Sequence, residues 1–125
     1  MPATRLETDV RRRAGVALID LAGDIDGSAE EALNAAYAEA TTGSPPAVLL
    51  NFGRVDYINS TGIALIVGIL AQARRDRIDV TACGLADHYR EIFEITRLSD
   101  FMQIFPDEEA AVGGTQPGTT EEVPE

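Results

Sequence analysis

The chain has no lysine: all ten of its basic residues are arginine. Chemistries that turn on a lysine amine are therefore excluded, among them Schiff bases, P-loop phosphate binding and the lysine that assists aspartyl phosphorylation in receiver domains. There is one cysteine, Cys83, and one histidine, His88. A lone cysteine rules out an internal disulfide framework, and together the two rule out the usual structural zinc sites. Long apolar runs are missing too. The longest, residues 62–71, falls well short of the about 20 residues a membrane-spanning helix needs. No apolar region follows Met1-Pro2-Ala3-Thr4-Arg5, so no signal peptide is expected and the expected location is cytoplasmic. Positive charge is scarce, with a net charge of −11. That argues against nucleic acid, which demands a basic footprint, and against anionic membrane surfaces. From Asp107 onward there are only acids and no base, so the deficit is concentrated at one end.

What remains is an ordinary globular composition, 45 % apolar and 25 % charged over 125 residues, the size of one domain. Leu6, Thr8 and Val10 alternate with Arg5, Glu7 and Asp9, which predicts a half-buried edge strand over residues 4–10. Arg11-Arg12-Arg13 and Ala14-Gly15 read as a turn with a charged rim. Residues 16–21 form a second, apolar strand, broken by residues 23–27. Ser28 and Glu31 have the spacing of a capping box, and Leu33, Ala36, Tyr37 and Ala40 recur at helical intervals until Pro45-Pro46 ends the helix.

Residues 47–52 are too apolar to have a wet face, as in a strand of a parallel sheet covered by helices. A loop over 53–59 leads to a helix from Ser60 to about Asp76, with Ser60 as its cap and Ile63, Ile66, Val67 and Leu70 on one stripe. Arg74, Arg75 and Arg77 close it, where cations favour the helix dipole. A strand over 78–83 follows, then a helix over 86–97 with Asp87 as cap and Tyr89, Ile92, Phe93 and Thr96 inward. A strand over 101–105 and a short helix from Pro106 to Val112 complete the order. That order, β-β-α-β-α-β-α-β-α, predicts an α/β fold with a mixed, mostly parallel sheet of four to five strands and about four helices. The first two strands should pair antiparallel. The domain should span 1–112, with 113–125 a disordered acidic tail that aids solubility.

The stretch Asn59-Ser60-Thr61-Gly62 opens the most apolar helix. It can be a plain helix cap, or it can carry a phosphorylatable serine: a phosphate there would meet free amides and the positive end of the helix dipole. Asn59-Ser60-Thr61 also fits the N-glycosylation pattern, a chance match without a secretory signal. His88 reads as a surface residue and Cys83 as a small core residue. Asp24 and Asp26 read as loop caps rather than a metal pair. No nucleophile–base–orienter set is visible, so the chain reads as a binding module with no cofactor and no metal, not an enzyme.

Residues 58–67, Ile-Asn-Ser-Thr-Gly-Ile-Ala-Leu-Ile-Val, resemble the D-S-[ST]-G-L-G-V-L-V segment of bacterial anti-sigma factor antagonists, members of the STAS domain family. Three further landmarks fall in order. Gly23-Asp24-Ile25-Asp26 resembles G-E-[IL]-D. Leu50-Asn51-Phe52 with Val55-Asp56-Tyr57-Ile58 resembles L-x-L-x-x-V-x-[FY]-[IM]. Residues 90–98 resemble R-x-[LI]-F-[ED]-[IL]-[ST]-G-L. The resemblance covers about residues 4–112.

It implies a STAS fold and a protein that, unphosphorylated, binds an anti-sigma factor that is also a serine kinase, releasing the sigma factor for transcription. Carried over, the phosphoacceptor is Ser60, with Thr61 the second candidate, and a serine phosphatase resets the switch. Asp26 matches an acid beside the phosphosite that supports partner recognition, and Asn59, Thr61, Gly62 and Ile63 belong to the same surface. The chain departs from the pattern at Asn59, where the family has an acid, and at Arg97, where glycine is common. The alternative is a non-switching STAS interaction or scaffold module in a signalling or lipid-transport complex. A monomer is expected for the free protein.

Overall fold

The computed structural model describes residues 5–115. Five strands form one sheet in the order β1-β2-β3-β4-β5: β1 Glu7–Arg13, β2 Val16–Ile25, β3 Ala47–Ile58, β4 Asp79–Cys83 and β5 Gln103–Phe105. β1 pairs antiparallel with β2, and every other pairing is parallel. The helices are α1 Glu30–Ala40, α2 Ser60–Asp76, α3 Asp87–Ile95 and α4 Glu108–Thr115. Element order, strand count and the antiparallel first pair are as the sequence predicts.

Over their first halves β2 and β3 are buried on both faces, and their side chains divide by the two-residue period of a strand. Ala17, Ile19 and Leu21 join Val48, Leu50 and Phe52 on one face, under α1, α2 and α3. Val16 and Leu18 join Ala47 and Leu49 on the other, under α4 alone. Phe93 of α3 is fully buried and meets Phe52 edge-on, ring centroids 5.8 Å apart. Each such side chain contributes about 1.5–3 kcal/mol by leaving water. The larger cluster therefore carries most of the stability.

Strand ends are where the structure departs from the sequence reading. Arg11-Arg12-Arg13 is not a turn but the end of β1, and only Ala14-Gly15 turn. Alternation gives the three arginines two jobs. Arg12 faces α1 and donates to its last carbonyls, Ala40 O at 2.7 Å and Glu39 O at 3.2 Å, where the helix dipole is negative. Arg11 and Arg13 face α4. Arg11 binds Asp20 through two nitrogens at 2.6 and 2.9 Å and Glu108 at 2.7 Å, while Arg13 binds Glu108 and Glu109. The bond from Arg11 holds Asp20 below the usual carboxylate range, and Glu108 is lowered for the same reason.

β2 does not break at Gly23 but runs to Ile25, and β3 continues through the expected loop to Ile58. The two stay paired over this stretch with register shifts near Asp20 and Gly23. Val67 is 45 % exposed rather than inward, and the core stripe of α2 is Ile66, Ile69, Leu70 and Ala73. α3 ends at Ile95, and Thr96 is exposed with its hydroxyl on Ile92 O. Asp87 does not cap α3; it pairs with Arg90. β5 is shorter than expected, and Phe101 lies outside it, 60 % exposed. α4 extends through 113–115, which the sequence reading had given to the tail; the rest of that tail, 116–125, lies outside the described residues.

Candidate functional site

The extra length of β2 and β3 carries both chains to one edge of the sheet and delivers the residues the sequence singled out. At the end of β2, Asp26 starts a 3-10 turn, Gly27–Ala29. Its Oδ1 accepts from Ser28 N at 2.9 Å and from the Ser28 hydroxyl at 2.6 Å. These two bonds hold the Asp26 carboxyl below its ordinary range, the hydroxyl being the larger cause. The expected capping box is thus not made. Ser28 lies inside the 3-10 turn, where its hydroxyl donates to Asp26, the residue that caps that turn, so it is not at the cap position of α1. α1 then begins at Glu30 with no side-chain cap.

At the end of β3, Asn59 is the cap of α2, not Ser60. Asn59 Oδ1 accepts from Gly62 N at 2.8 Å, and Ile63 N bonds to Asn59 O at 2.9 Å. Asn59 N in turn donates to Ile25 O, the last carbonyl of β2, at 3.2 Å. The start of α2 is thereby wedged against β2. A Cβ on Gly62 would lie 2.0 Å from Ile25 O, so only glycine allows this approach. Gly62 and Ile63 are held by these contacts, Ile63 half-buried against the main core.

Ser60 and Thr61 occupy the first turn of α2 and are both exposed. With Asn59 as cap, the Ser60 hydroxyl is not consumed in holding the helix. Thr61 leans toward the 3-10 turn: a Cβ on Gly27 would sit 3.6 Å from Thr61 Cγ2. Asp26, Asn59, Ser60, Thr61, Gly62 and Ile63 are therefore gathered where β2 and β3 end and α2 begins.

Two tyrosines complete the edge. Ile58 N donates to Tyr89 Oη at 3.1 Å, so α3 braces the end of β3. Tyr57 pairs in register with Asp24 and is 49 % exposed. The sequence reading placed Tyr57 inside a motif and Tyr89 in the core but gave neither a role. For Tyr57 the available signal is the alternation Val55-Asp56-Tyr57 that continues a strand pattern beyond Phe52.

Chemically, the edge presents the exposed hydroxyls of Ser60 and Thr61, the first-turn amides of α2 and the Asp26 carboxylate, which is bonded to Ser28. His88 meets the neighbouring Tyr89 ring, centroids 5.0 Å apart. Among the described residues no group of three or more His, Cys, Asp or Glu could hold a metal ion, and no helix is long and apolar enough to cross a membrane. A negative group on a hydroxyl so placed would meet the positive end of the α2 dipole, an interaction of about 0.3–1 kcal/mol.

Residues 7–111 match the family described as STAS domain. A Bordetella bronchiseptica protein named as an anti-sigma factor antagonist, BtrV, is 34 % identical over 92 residues, covering 74 % of this chain and 77 % of that protein. Among solved structures, an anti-sigma factor antagonist from Mycobacterium paratuberculosis superposes with a TM-score of 0.77 at 20 % identity, over 89 % of this chain and 94 % of that one. The Bacillus cell fate determinant SpoIIAA, in its phosphorylated form, superposes with a TM-score of 0.63 at 21 % identity, over 84 % and 96 %.

Proposed function

The chain belongs to the STAS domain family, and from that premise we propose that it is an anti-sigma factor antagonist switched by phosphorylation at Ser60. Unphosphorylated, it binds an anti-sigma factor that is also a serine kinase, in the cytoplasm, and so frees a sigma factor. Phosphorylated by that kinase, it lets go, and a serine phosphatase restores it. It acts as a binding protein and as the kinase's substrate, not as an enzyme.

The observation that carries this reading is the placement of Ser60: exposed, in the first turn of α2, its capping duty taken over by Asn59. A phosphate adds about −1.5 to −2 charges. The helix start accommodates them in water, whereas burying them under a partner costs several kcal/mol per charge. Phosphorylation therefore leaves the fold intact while removing the complex. Thr61, turned toward the 3-10 turn, is the second acceptor. Asp26, held ionised by Ser28, marks the edge of the recognised surface. The names of the relatives support the antagonist role, and a fold neighbour exists in phosphorylated form.

Asn59 favours a second reading. An acid before the serine would add negative charge beside the acceptor, and asparagine keeps the cap without it. A module that never needs the kinase, a scaffold in a signalling or lipid-transport complex, would tolerate that exchange.

Affinity capture with Ser60→Ala and Ser60→Glu baits separates the two. The switch predicts a kinase-type anti-sigma factor retained by the alanine bait and at least about tenfold depleted on the glutamate bait. The same protein should phosphorylate the wild-type chain at Ser60. Equal capture on both baits, with no phosphate on Ser60, leaves the scaffold.

A further inference from the structure

The two edges of the sheet are built differently. β5, at one edge, has three residues and is followed at once by Pro106, so it offers little for another strand to pair with. β1, at the other, is seven residues long, holds neither proline nor glycine, and pairs with β2 without a register shift. Ala14 and Gly15 both have positive φ, 53° and 81°, as in a two-residue type I′ turn. Such a turn makes the residues that flank it, Arg13 and Val16, a hydrogen-bonded pair. By alternation Asp9 and Arg11 also bond to β2, and the N–H and C=O groups of Thr8, Val10 and Arg12 point away from the sheet. Among the described residues no strand takes them.

The side chains along this edge alternate in place and change sign halfway. Glu7, Asp9, Arg11 and Arg13 share the face on which α4 lies, acids first and bases second. Glu7 and Asp9 are exposed and form no ion pair among the described residues. Arg11 and Arg13 hold Asp20, Glu108 and Glu109, yet their side chains are still 39 % and 38 % exposed. Turned end for end, the strand is its own electrostatic complement. With Val10 opposite Val10 of a second copy, Glu7 faces Arg13 and Asp9 faces Arg11, and the two-fold repeats both pairs. A slip of two residues sets Asp9 against Asp9 or Arg11 against Arg11. A slip of one sets outward-pointing groups against inward-pointing ones. One register alone satisfies both the charges and the backbone.

We infer that the outer edge of β1 is a surface for a second copy of this chain: two β1 strands pair antiparallel about a two-fold axis at Val10 and join two five-stranded sheets into one. The outward groups of Thr8, Val10 and Arg12 then find partners in the second copy. This differs from the monomer that the sequence reading expects for the free protein. The net charge of −11 opposes association at long range. At about 0.15 M salt, however, charges beyond about 8 Å are screened, and the facing pairs are closer than that. The contact closes at two copies, because each chain has spent its one long edge.

The arrangement bears on the Ser60 edge. β1 runs antiparallel to β2, so Glu7 lies toward the end of β2 that leads to Asp26, and Arg13 lies at the opposite end. Pairing end for end therefore carries the two Ser60 edges to opposite ends of the joined sheet, where neither covers the other. The dimer presents two such edges at once. It uses none of their residues and is tested without Ser60 or any partner.

The test is sedimentation equilibrium of the full chain from about 10 μM to about 1 mM, with amide exchange followed by NMR over the same range. The mass should climb toward twice 13.4 kDa. Protection of the Thr8, Val10 and Arg12 amides should climb with it, while the Asp9 and Arg11 amides are protected throughout. Glu7→Arg/Asp9→Arg alters two exposed residues and moves the net charge from −11 to −7, which weakens the general repulsion. It should nonetheless dissociate at least about tenfold more readily, because every facing pair becomes like-charged, with circular dichroism unchanged. Thr8→Pro removes one outward N–H and no bond to β2, and should act in the same direction. A chain that keeps monomer mass to about 1 mM would overturn the proposal. So would a Glu7→Arg/Asp9→Arg chain that associates as well as wild type, or assembly beyond two copies. Outer amides protected equally at every concentration would assign the edge to a segment of the same chain and overturn it too.

Discussion

The two ends of α2 are built on opposite plans. At its start, backbone meets backbone: Gly62 sits under Ile25 O, Asn59 bonds to both β2 and the first turn, and nothing larger than hydrogen fits at 62. At its finish, Arg74 and Arg75 lie in the last turn and Arg77 closes the helix in a left-handed conformation. Beyond them lies an open groove. The first end is closely packed and presents the exposed hydroxyls of Ser60 and Thr61. The second presents charge and exposed apolar surface. A switch residue gains from the first kind of support, because the modification then changes the surface and not the fold.

The sharpest way to break this contrast is alanine at two glycines of the same helix. Gly62→Ala forces the helix start off β2 and should cost about 2–4 kcal/mol, read as a lower midpoint in urea. Gly68→Ala meets nothing within 4 Å and should be stabilising by about 0.5–1 kcal/mol through helix propensity. Comparable losses at both positions would mean that the start of α2 is not wedged.

Cap substitutions come next in size. Asn59→Ala removes the bond to Gly62 N and should cost about 1 kcal/mol. Asn59→Asp keeps the acceptor and adds a charge where the dipole is positive, so thermal unfolding should show it as stable as wild type or slightly more.

Acid should loosen α4 before it loosens the start of α2. Asp20 and Glu108 are both held below their ordinary values of 3.8 and 4.5 by Arg11. Lowered carboxylates stabilise the fold fully above those ordinary values, and the contribution is lost as the pH falls below them toward the folded values. Because the pairs are partly exposed, the effect is modest. The cap at Gly62 is an asparagine and does not titrate. Protection factors from amide exchange followed downward through pH 4 should therefore fall in α4 while that of the Gly62 amide holds. Simultaneous loss of both would remove the distinction.

The smallest effect is expected at Arg97. It adopts a left-handed conformation, φ 68°, with only an exposed ion pair to Asp100. Arg97→Gly should stabilise by up to about 1 kcal/mol, since glycine enters that region without strain. A raised melting temperature checks it.

What the sequence made legible follows the same divide. Apolar period and turn residues were enough to order five strands and four helices, and the motif around Ser60 singled out residues that the structure brings to one edge of the sheet. Strand ends were not legible, because Gly23-Asp24 and Gly53-Arg54 look like loop residues. Their extension comes from pairing between β2 and β3, residues about thirty apart in sequence, with register shifts that local patterns do not carry. The choice of cap was also hidden. Asn59 and Ser60 are both good caps by type, and only the bond from Asn59 N to Ile25 O settles which one turns out of the helix. The arginine triplet misled because three adjacent charges resemble a solvated rim until the sheet supplies α1 on one side and α4 on the other.

The account turns on Ser60, and its most direct measurement is the affinity of the singly phosphorylated chain for the kinase-type anti-sigma factor, set beside its amide spectrum. The account predicts phosphate on Ser60, affinity reduced at least about tenfold, and amide shifts confined to the first turn of α2 and the Gly27–Ala29 turn. Phosphate on Ser60 with unchanged affinity would contradict it.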